Sequence, residues 1–335
     1  MKQASRGKNA YDMLTIGAAT RDVFVKSTHF EKLRSSAAPD GWEACLPLGA
    51  KIPIDELMFE TGGGATNAAV TFARFGFATA CVARVGRDEG GEAVRLALND
   101  DGVQTKFLQV DPKQRTAYSF ILVAGSGNRA ILVARGASSH IDTKAIPWKS
   151  VSSGWTYLTS VAGNKPLLKT LFAEAKASQR HIAWNPGNGE IEMGLKQLFP
   201  YLMQTGILIM NREEAAALAD VSPNHLDKIF SKLGSLPRLA LVVTDGKDGA
   251  YAYARGVSWY APAVKGKVLN TTGAGDAFGS AFTASMMLDG DIVHALKVAS
   301  LNAFGVVSHM GAKAGILKKF PGAQELMRVH VRELP

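Results

Sequence analysis

From Asp12 onward the chain alternates short apolar runs with segments whose apolar residues recur every three or four positions. The runs at 13–18, 79–85, 156–160, 182–184, 207–210, 239–244 and 250–253 are rich in apolar residues with little polar alternation. Strands of that kind are covered on both faces. The periodic segments predict helices over 65–75, 90–100, 166–177, 213–218, 223–233, 277–288 and 292–309. In the last of them Val293, Leu296, Ala299, Ala303, Val306 and Val307 form an apolar stripe that reads as core packing. Strands separated by helices predict an α/β domain with a mostly parallel central sheet.

Two regions break the rhythm. Residues 23–61 and 115–135 are β-prone and lack an intervening helix. Strands over 117–123 and 130–134, with Gly125-Ser126-Gly127-Asn128 between them, predict a hairpin. Together the two regions predict a small antiparallel flap over one end of the main sheet. Residues 28–60 are long for a plain loop, and long insertions tend to be functional. Residues 1–10 read as a loose tail.

Composition narrows the class. The 335 residues are 47% hydrophobic and 20% charged, which is ordinary for a globular protein. The longest apolar runs are far too short to span a bilayer, and the first ten residues lack the apolar core of a signal peptide. Cys45 and Cys81 alone make neither a disulfide framework nor a zinc site, which suits a reducing cytoplasm. The net charge of +9 raises nucleic-acid binding. The positives, however, are scattered singly or in pairs such as Lys318-Lys319, without interleaved aromatics. Attraction of anionic phosphometabolites, or solubility, accounts for them better.

The stretch with the most chemistry is 270–282, where Asn270-Thr271-Thr272-Gly273-Ala274-Gly275-Asp276 runs into an apolar helix. Glycines there leave backbone N–H groups bare at a helix start, and such groups attract anions. Asp276 sits beside them and can accept a proton, so the stretch has the parts for phosphoryl transfer to a hydroxyl. It is not a Walker loop, since no Gly-x-x-x-x-Gly-Lys-Ser/Thr occurs, nor a dinucleotide fingerprint, since Phe278 takes the place of the last glycine. Read alone, it also suits a turn that starts a packed helix. A second glycine run, Gly62-Gly63-Gly64, leads into a helix carrying Asn67, whose amide both donates and accepts. That suits a polyhydroxylated ligand, or a brace within its own helix.

Taken together, these stretches make the chain resemble the ribokinase-like (PfkB) carbohydrate kinase family from about residue 12 to residue 322. Gly17…Asp22, Gly86-Arg87-Asp88-Glu89-Gly90-Gly91, Asn185-Pro186, Asn211-Arg212-Glu213-Glu214 and Thr244-Asp245-Gly246-Lys247-Asp248-Gly249 are similar to family pieces and follow the family's order. The resemblance implies a single three-layer α/β/α kinase domain over 1–335, with a β-lid from about 23–61 and 115–135. It implies ATP with Mg²⁺ as cofactors and Asp276 as catalytic base. The amides of Gly273, Ala274 and Gly275 then form an anion hole, and Asp22, Gly62, Gly63 and Asn67 form the acceptor site. Asn185, Asn211, Thr244, Gly246 and Gly249 fall at nucleotide positions, and Glu214 at a water-mediated Mg²⁺ position. Asn211 and Glu214 share a face if helical, and equally have the spacing of a capping box. Asp88 reads better as a helix cap.

Departures from the family pattern shape the expected substrate. Asn270 replaces the Asp that in many relatives helps build a K⁺ site, keeping a carbonyl oxygen and losing the charge. Gly64 stands where ribokinases and some phosphosugar kinases carry Lys, and Val161-Ala162-Gly163-Asn164 offers no acidic sugar-gripping residue. No Arg follows Asn185-Pro186, as it often does in kinases of keto-deoxy sugar acids. The expectation is an ATP-dependent kinase acting on a hydroxymethyl or similar alcohol of a neutral sugar or sugar-containing molecule. It is expected to be cytoplasmic and homodimeric, with no nucleic-acid or membrane partner. A nucleoside kinase is the alternative, favoured by an apolar acceptor pocket if Phe24 and Phe30 line one. A non-catalytic sugar or nucleotide sensor is the outsider.

Overall fold

The structure, a computed structural model, describes residues 10–36, 41–124, 129–148 and 151–334. Residues 1–9 of the expected tail and the 125–128 turn of the expected hairpin lie outside the described residues.

The central sheet has nine strands. Six run parallel, in the spatial order Thr79–Val82, Ala10–Ile16, Ser152–Leu158, His181–Trp184, Ile207–Asn211 and Ala240–Thr244. Ala250–Ala254, Val257–Ala261 and Arg332–Leu334 continue it antiparallel at one edge. Side chains alternate between two cores. Leu14, Leu158, Trp184, Met210 and Val243 face a layer with helices Lys165–Ala177, Gly194–Leu202, Arg212–Ala219 and Leu226–Leu233. Met13, Tyr157, Ala183, Ile209 and Val242 face the opposite layer with helices Gly64–Arg74, Ala274–Leu288 and Ile292–Val307. That is the three-layer α/β/α arrangement.

Expected and observed elements differ mainly at their ends. The strand expected over 79–85 stops at Val82, and Arg84–Gly86 pairs separately with Gln109–Asp111. The helix expected to begin at 277 begins at Ala274, because Gly273 caps it in a left-handed conformation. Asp276 therefore lies in its first turn.

A second sheet comes from the two irregular regions. Its strand order is Arg129–Ala134, Ala117–Ala124, Thr20–Ser27 and Glu56–Gly62. It is not wholly antiparallel: Thr20–Ser27 runs parallel to Ala117–Ala124. The two strands belong to separate excursions of the chain, so no hairpin constrains their directions. Within 28–60, Glu31–Arg34 and Trp42–Cys45 form a further small hairpin.

Two small-residue helices position the site. Ala65, Ala68 and Ala69 on Gly64–Arg74, and Ala277 and Ala281 on Ala274–Leu288, are buried. With little side-chain bulk the two helices pack directly on each other. Buried Asn302 bridges the two, its Nδ2 donating to the carbonyl of Ala277 at 2.9 Å and to the Thr71 hydroxyl at 3.4 Å.

Candidate active site

The C-terminal ends of the parallel strands converge on one cleft, the usual ligand position in an open α/β sheet. Asn185 follows strand His181–Trp184, Asn211 ends Ile207–Asn211, and Thr244 ends Ala240–Thr244, directly opposite Asn211 in register. Together with Glu214, Gly273, Gly275 and Asp276 they line a cavity of about 180 Å³. Residues from Asn185 to Asp276 thus meet because strand ends and helix starts open on the same side of the sheet.

Gly273 has φ +80°, and a Cβ there would stand 2.6 Å from the Cβ of Ala312. Both its backbone and its packing require glycine. A Cβ on Gly275 would meet nothing within 4 Å, so its flank is open to the cleft. The Ala274 N–H donates to the carbonyl of Thr271 at 3.3 Å, so the N–H groups of the flanking glycines are what the start of this fifteen-residue helix offers an anion.

Asp276 accepts a hydrogen bond from the Nδ2 of Asn67 at 2.8 Å. Burial raises its carboxyl above the ordinary Asp value, although Asn67 and the Lys313 ammonium pull the other way. A carboxyl so raised, held by one amide donor beside an anion seat, is well suited to take a proton. The amide oxygen of Asn67, Oδ1, is buried without a partner. Buried polar atoms are seldom left unpaired, and a ligand hydroxyl would satisfy this one.

Asp22, on strand Thr20–Ser27, is 4% exposed and accepts from the Thr20 hydroxyl at 2.9 Å. A Cβ on Gly62 would stand 2.1 Å from Asp22 Oδ2, so glycine there is what lets the carboxylate occupy its place. Gly63 caps the helix that carries Asn67. A Cβ at Gly64 would stand 2.9 Å from the Thr159 side chain, leaving no room for the lysine absent there.

Asn211 and Glu214 form a capping box: Asn211 Oδ1 accepts from the Glu214 N–H at 2.7 Å, and Glu214 Oε2 accepts from the Asn211 N–H at 2.9 Å. Both nonetheless line the cleft, and burial raises the Glu214 carboxyl, with Glu213 and Asp276 adding to the effect. Asp88 is a cap, its Oδ1 accepting from the Gly91 N–H at 2.9 Å. Gly246 and Gly249 border a separate, mainly apolar groove of about 230 Å³ with Ala263, Val264, Phe304 and Val307.

Sequence reasoning missed Lys313, Arg129 and that groove. Lys313 is 7% exposed and donates to the Thr61 hydroxyl at 2.9 Å. Burial pushes its ammonium down to about 8, while Asp22, Cys81, Asp101 and Glu60 work to hold the charge. Arg129, on the second sheet, reaches the hydroxyl of Thr271 at the head of the glycine loop. Neither residue lies in a motif; both are recruited by packing. Phe30, suggested as an acceptor-pocket wall, instead lines a small cavity with Lys32, Trp42 and Leu122.

Among the described residues no helix is long and apolar enough to cross a membrane. The pfkB family carbohydrate kinase profile matches residues 48–319. A 5-dehydro-2-deoxygluconokinase of Bacillus velezensis is 27% identical over 315 residues, covering 85% of this chain and 92% of that protein. An ATP-dependent ribose-1-phosphate kinase of Halopiger xanaduensis is 26% identical over 249 residues, covering 74% of this chain and 79% of the relative. Among solved structures, the Methanocaldococcus jannaschii nucleoside kinase, an archaeal member of the ribokinase family, superposes with a TM-score of 0.72. It is 20% identical, over 91% of this chain and 94% of that one, and shows the shared fold. The chain belongs to the pfkB family of carbohydrate kinases.

Proposed function

We propose that the protein is an ATP-dependent kinase that phosphorylates a hydroxymethyl or similar alcohol of a neutral sugar or sugar-containing small molecule. The observation that carries this reading is the Asn67–Asp276 pair, which joins the two glycine runs at the anion seat. The acceptor alcohol is held by Asp22 and by the free Oδ1 of Asn67. Asp276 removes its proton as the oxygen attacks, and the amides of Gly273, Ala274 and Gly275 offset the charge on the transferring group. The nucleotide lies along Asn185, Asn211, Thr244, Gly246 and Gly249, its base in the apolar groove. The donor set fits Mg²⁺ held mainly by phosphate and water, with Glu214 as the carboxylate of the cavity left over when Asp276 serves as base. When bound, the ion would neutralise phosphate charge.

Charge balance favours a neutral acceptor. The ammonium of Lys313 is already matched by Asp22 and Glu60, and Asp276 adds a further negative charge. Arg21 also acts on Glu60, so two cations stand against the three carboxyls Asp22, Glu60 and Asp276, a balance that disfavours an acceptor phosphate. A coupled ATP-consumption screen over pentoses, hexoses and nucleosides tests the assignment. Turnover with neutral sugars is the expected result. Turnover confined to nucleosides or phosphosugars would overturn it, and product formed with no acceptor at all would support only a sensor.

The Asn270 loop argues against a monovalent cation. Asn270 Oδ1 accepts from the Thr272 N–H at 3.1 Å, and its Nδ2 is buried without a partner. The side chain thus offers a donor where K⁺ needs oxygens. Replacing K⁺ with tetramethylammonium is expected to leave kcat within about twofold. A loss of tenfold or more would refute the reading.

The second sheet acts as the lid, tied to the cleft by Arg129–Thr271 and Lys313–Thr61. Its edge strand Glu56–Gly62 exposes Leu57 (51%) and Phe59 (54%), with Phe120 and Leu132 exposed on the same face. Pairing of two lids would cover that face, so the protein is a homodimer. Light scattering at micromolar concentration should return twice the chain mass, and the chain mass itself would contradict this.

A further inference from the structure

A different cavity lies at the opposite end of the central sheet. It occupies about 480 Å³ between the end of helix Lys165–Ala177 and the N-terminal ends of strands His181–Trp184, Ile207–Asn211 and Ala240–Thr244. The strands are four or five residues long, so it lies roughly 15 Å or more from the catalytic cleft. Its lining combines the basic residues Lys176, Arg180 and Arg238 with the apolar Phe172, Ile182 and Leu239. No carboxylate is among the lining residues.

Arg180 is the unusual member. It is 9% exposed, and one guanidinium nitrogen donates to the carbonyl of Val151 at 2.9 Å. Its Nε is buried and has no partner. Burial lowers its pKa, and Glu174 offsets that only in part. Arg238 uses its Nε on the carbonyl of Met203 at 3.1 Å. An arginine so desolvated is costly unless a negative group meets it. The helix end adds some negative potential, but its carbonyls at Glu174, Ala175 and Lys176 are already bonded by the N–H groups of Ser178, Arg180 and Gln179. The cavity wall thus carries two arginines and a lysine, with Glu174 outside the lining as the charge acting on Arg180.

We propose that this cavity is a binding site for a small phosphorylated metabolite, separate from the catalytic cleft. The phosphate meets Arg180, Arg238 and Lys176, since guanidinium forks match phosphate oxygens. The body of the ligand lies on Phe172, Ile182 and Leu239. The cavity volume falls within the range of small-molecule sites.

Calorimetric titration of the full chain with phenyl phosphate at low salt tests this. One-site binding is expected, tighter than for inorganic phosphate, which leaves the apolar wall bare. Benzoate should bind more weakly than phenyl phosphate, and equal affinity would refute the phosphate assignment. Arg180→Met should weaken phenyl phosphate about tenfold or more and raise the Tm of the ligand-free chain. Lys176→Gln, at an exposed position, and Arg238→Gln should weaken it in the same direction, and they serve if Arg180→Met fails to fold. Gly275→Val, in the open flank of the glycine loop, should leave the binding unchanged and so separate this site from the catalytic one. Absence of binding, or affinity unchanged by the three basic-residue variants and lost in Gly275→Val, would overturn the proposal.

Discussion

Asp276→Asn is expected to lower turnover by at least ~100-fold while ATP still binds. The substitution keeps shape and a carbonyl oxygen for the Asn67 amide, so the fold should be unaffected. What it removes is the proton acceptor. The pH profile adds a second reading of the same site. In the proposed mechanism Asp276 works as the carboxylate, and burial raises its pKa, so activity should rise with pH through a value above the ordinary Asp range. Lys313 is pushed down to about 8; above that pH it loses its charge and no longer offsets Asp22 and Glu60. An alkaline fall near pH 8 is therefore expected in wild type and absent in Lys313→Met. Steady-state kinetics with isothermal binding of ATP check both parts. Near-normal turnover in Asp276→Asn would sink the base assignment.

Gly62→Ala is expected to strike the acceptor side alone. The added Cβ would stand 2.1 Å from Asp22 Oδ2 and 2.9 Å from the Thr20 hydroxyl that orients it. Asp22 must then turn out of its position. Misplacement of a substrate-holding group by about 1 Å can reduce catalysis ~100-fold. The acceptor KM should rise at least about tenfold with the KM for ATP unchanged. If ATP binding weakened equally, the effect would be general distortion and Gly62 would lose its assigned role.

Much of this site was legible in the chain itself. Gly273-Ala274-Gly275 followed by an apolar helix pointed to a candidate anion seat, because the backbone at a helix start depends on local conformation. Gly62-Gly63 opening a helix was legible for the same reason, whereas the partner of Asn67 was not. The Asn211–Glu214 spacing supported two readings. The structure shows the capping box and places the same pair at the cleft, so the two are compatible. Strand ends were less legible: Arg84–Gly86 leaves the main sheet for another partner, a tertiary choice that apolar pattern does not encode. The direction of Thr20–Ser27 against Ala117–Ala124 was equally out of reach.

By itself, then, the sequence determined the layered α/β class and the motifs that open two helices with glycine, since hydrophobic period and backbone freedom act over a few residues. Only the tertiary structure decided that Asn67 holds Asp276, that Lys313 stands buried beside Asp22, and that Arg129 reaches Thr271. The Asn67–Asp276 bond spans 209 residues and the Lys313–Thr61 bond 252. Burial, charge compensation and a shifted proton affinity arise from what the folded chain packs together, and no local spacing carries that information.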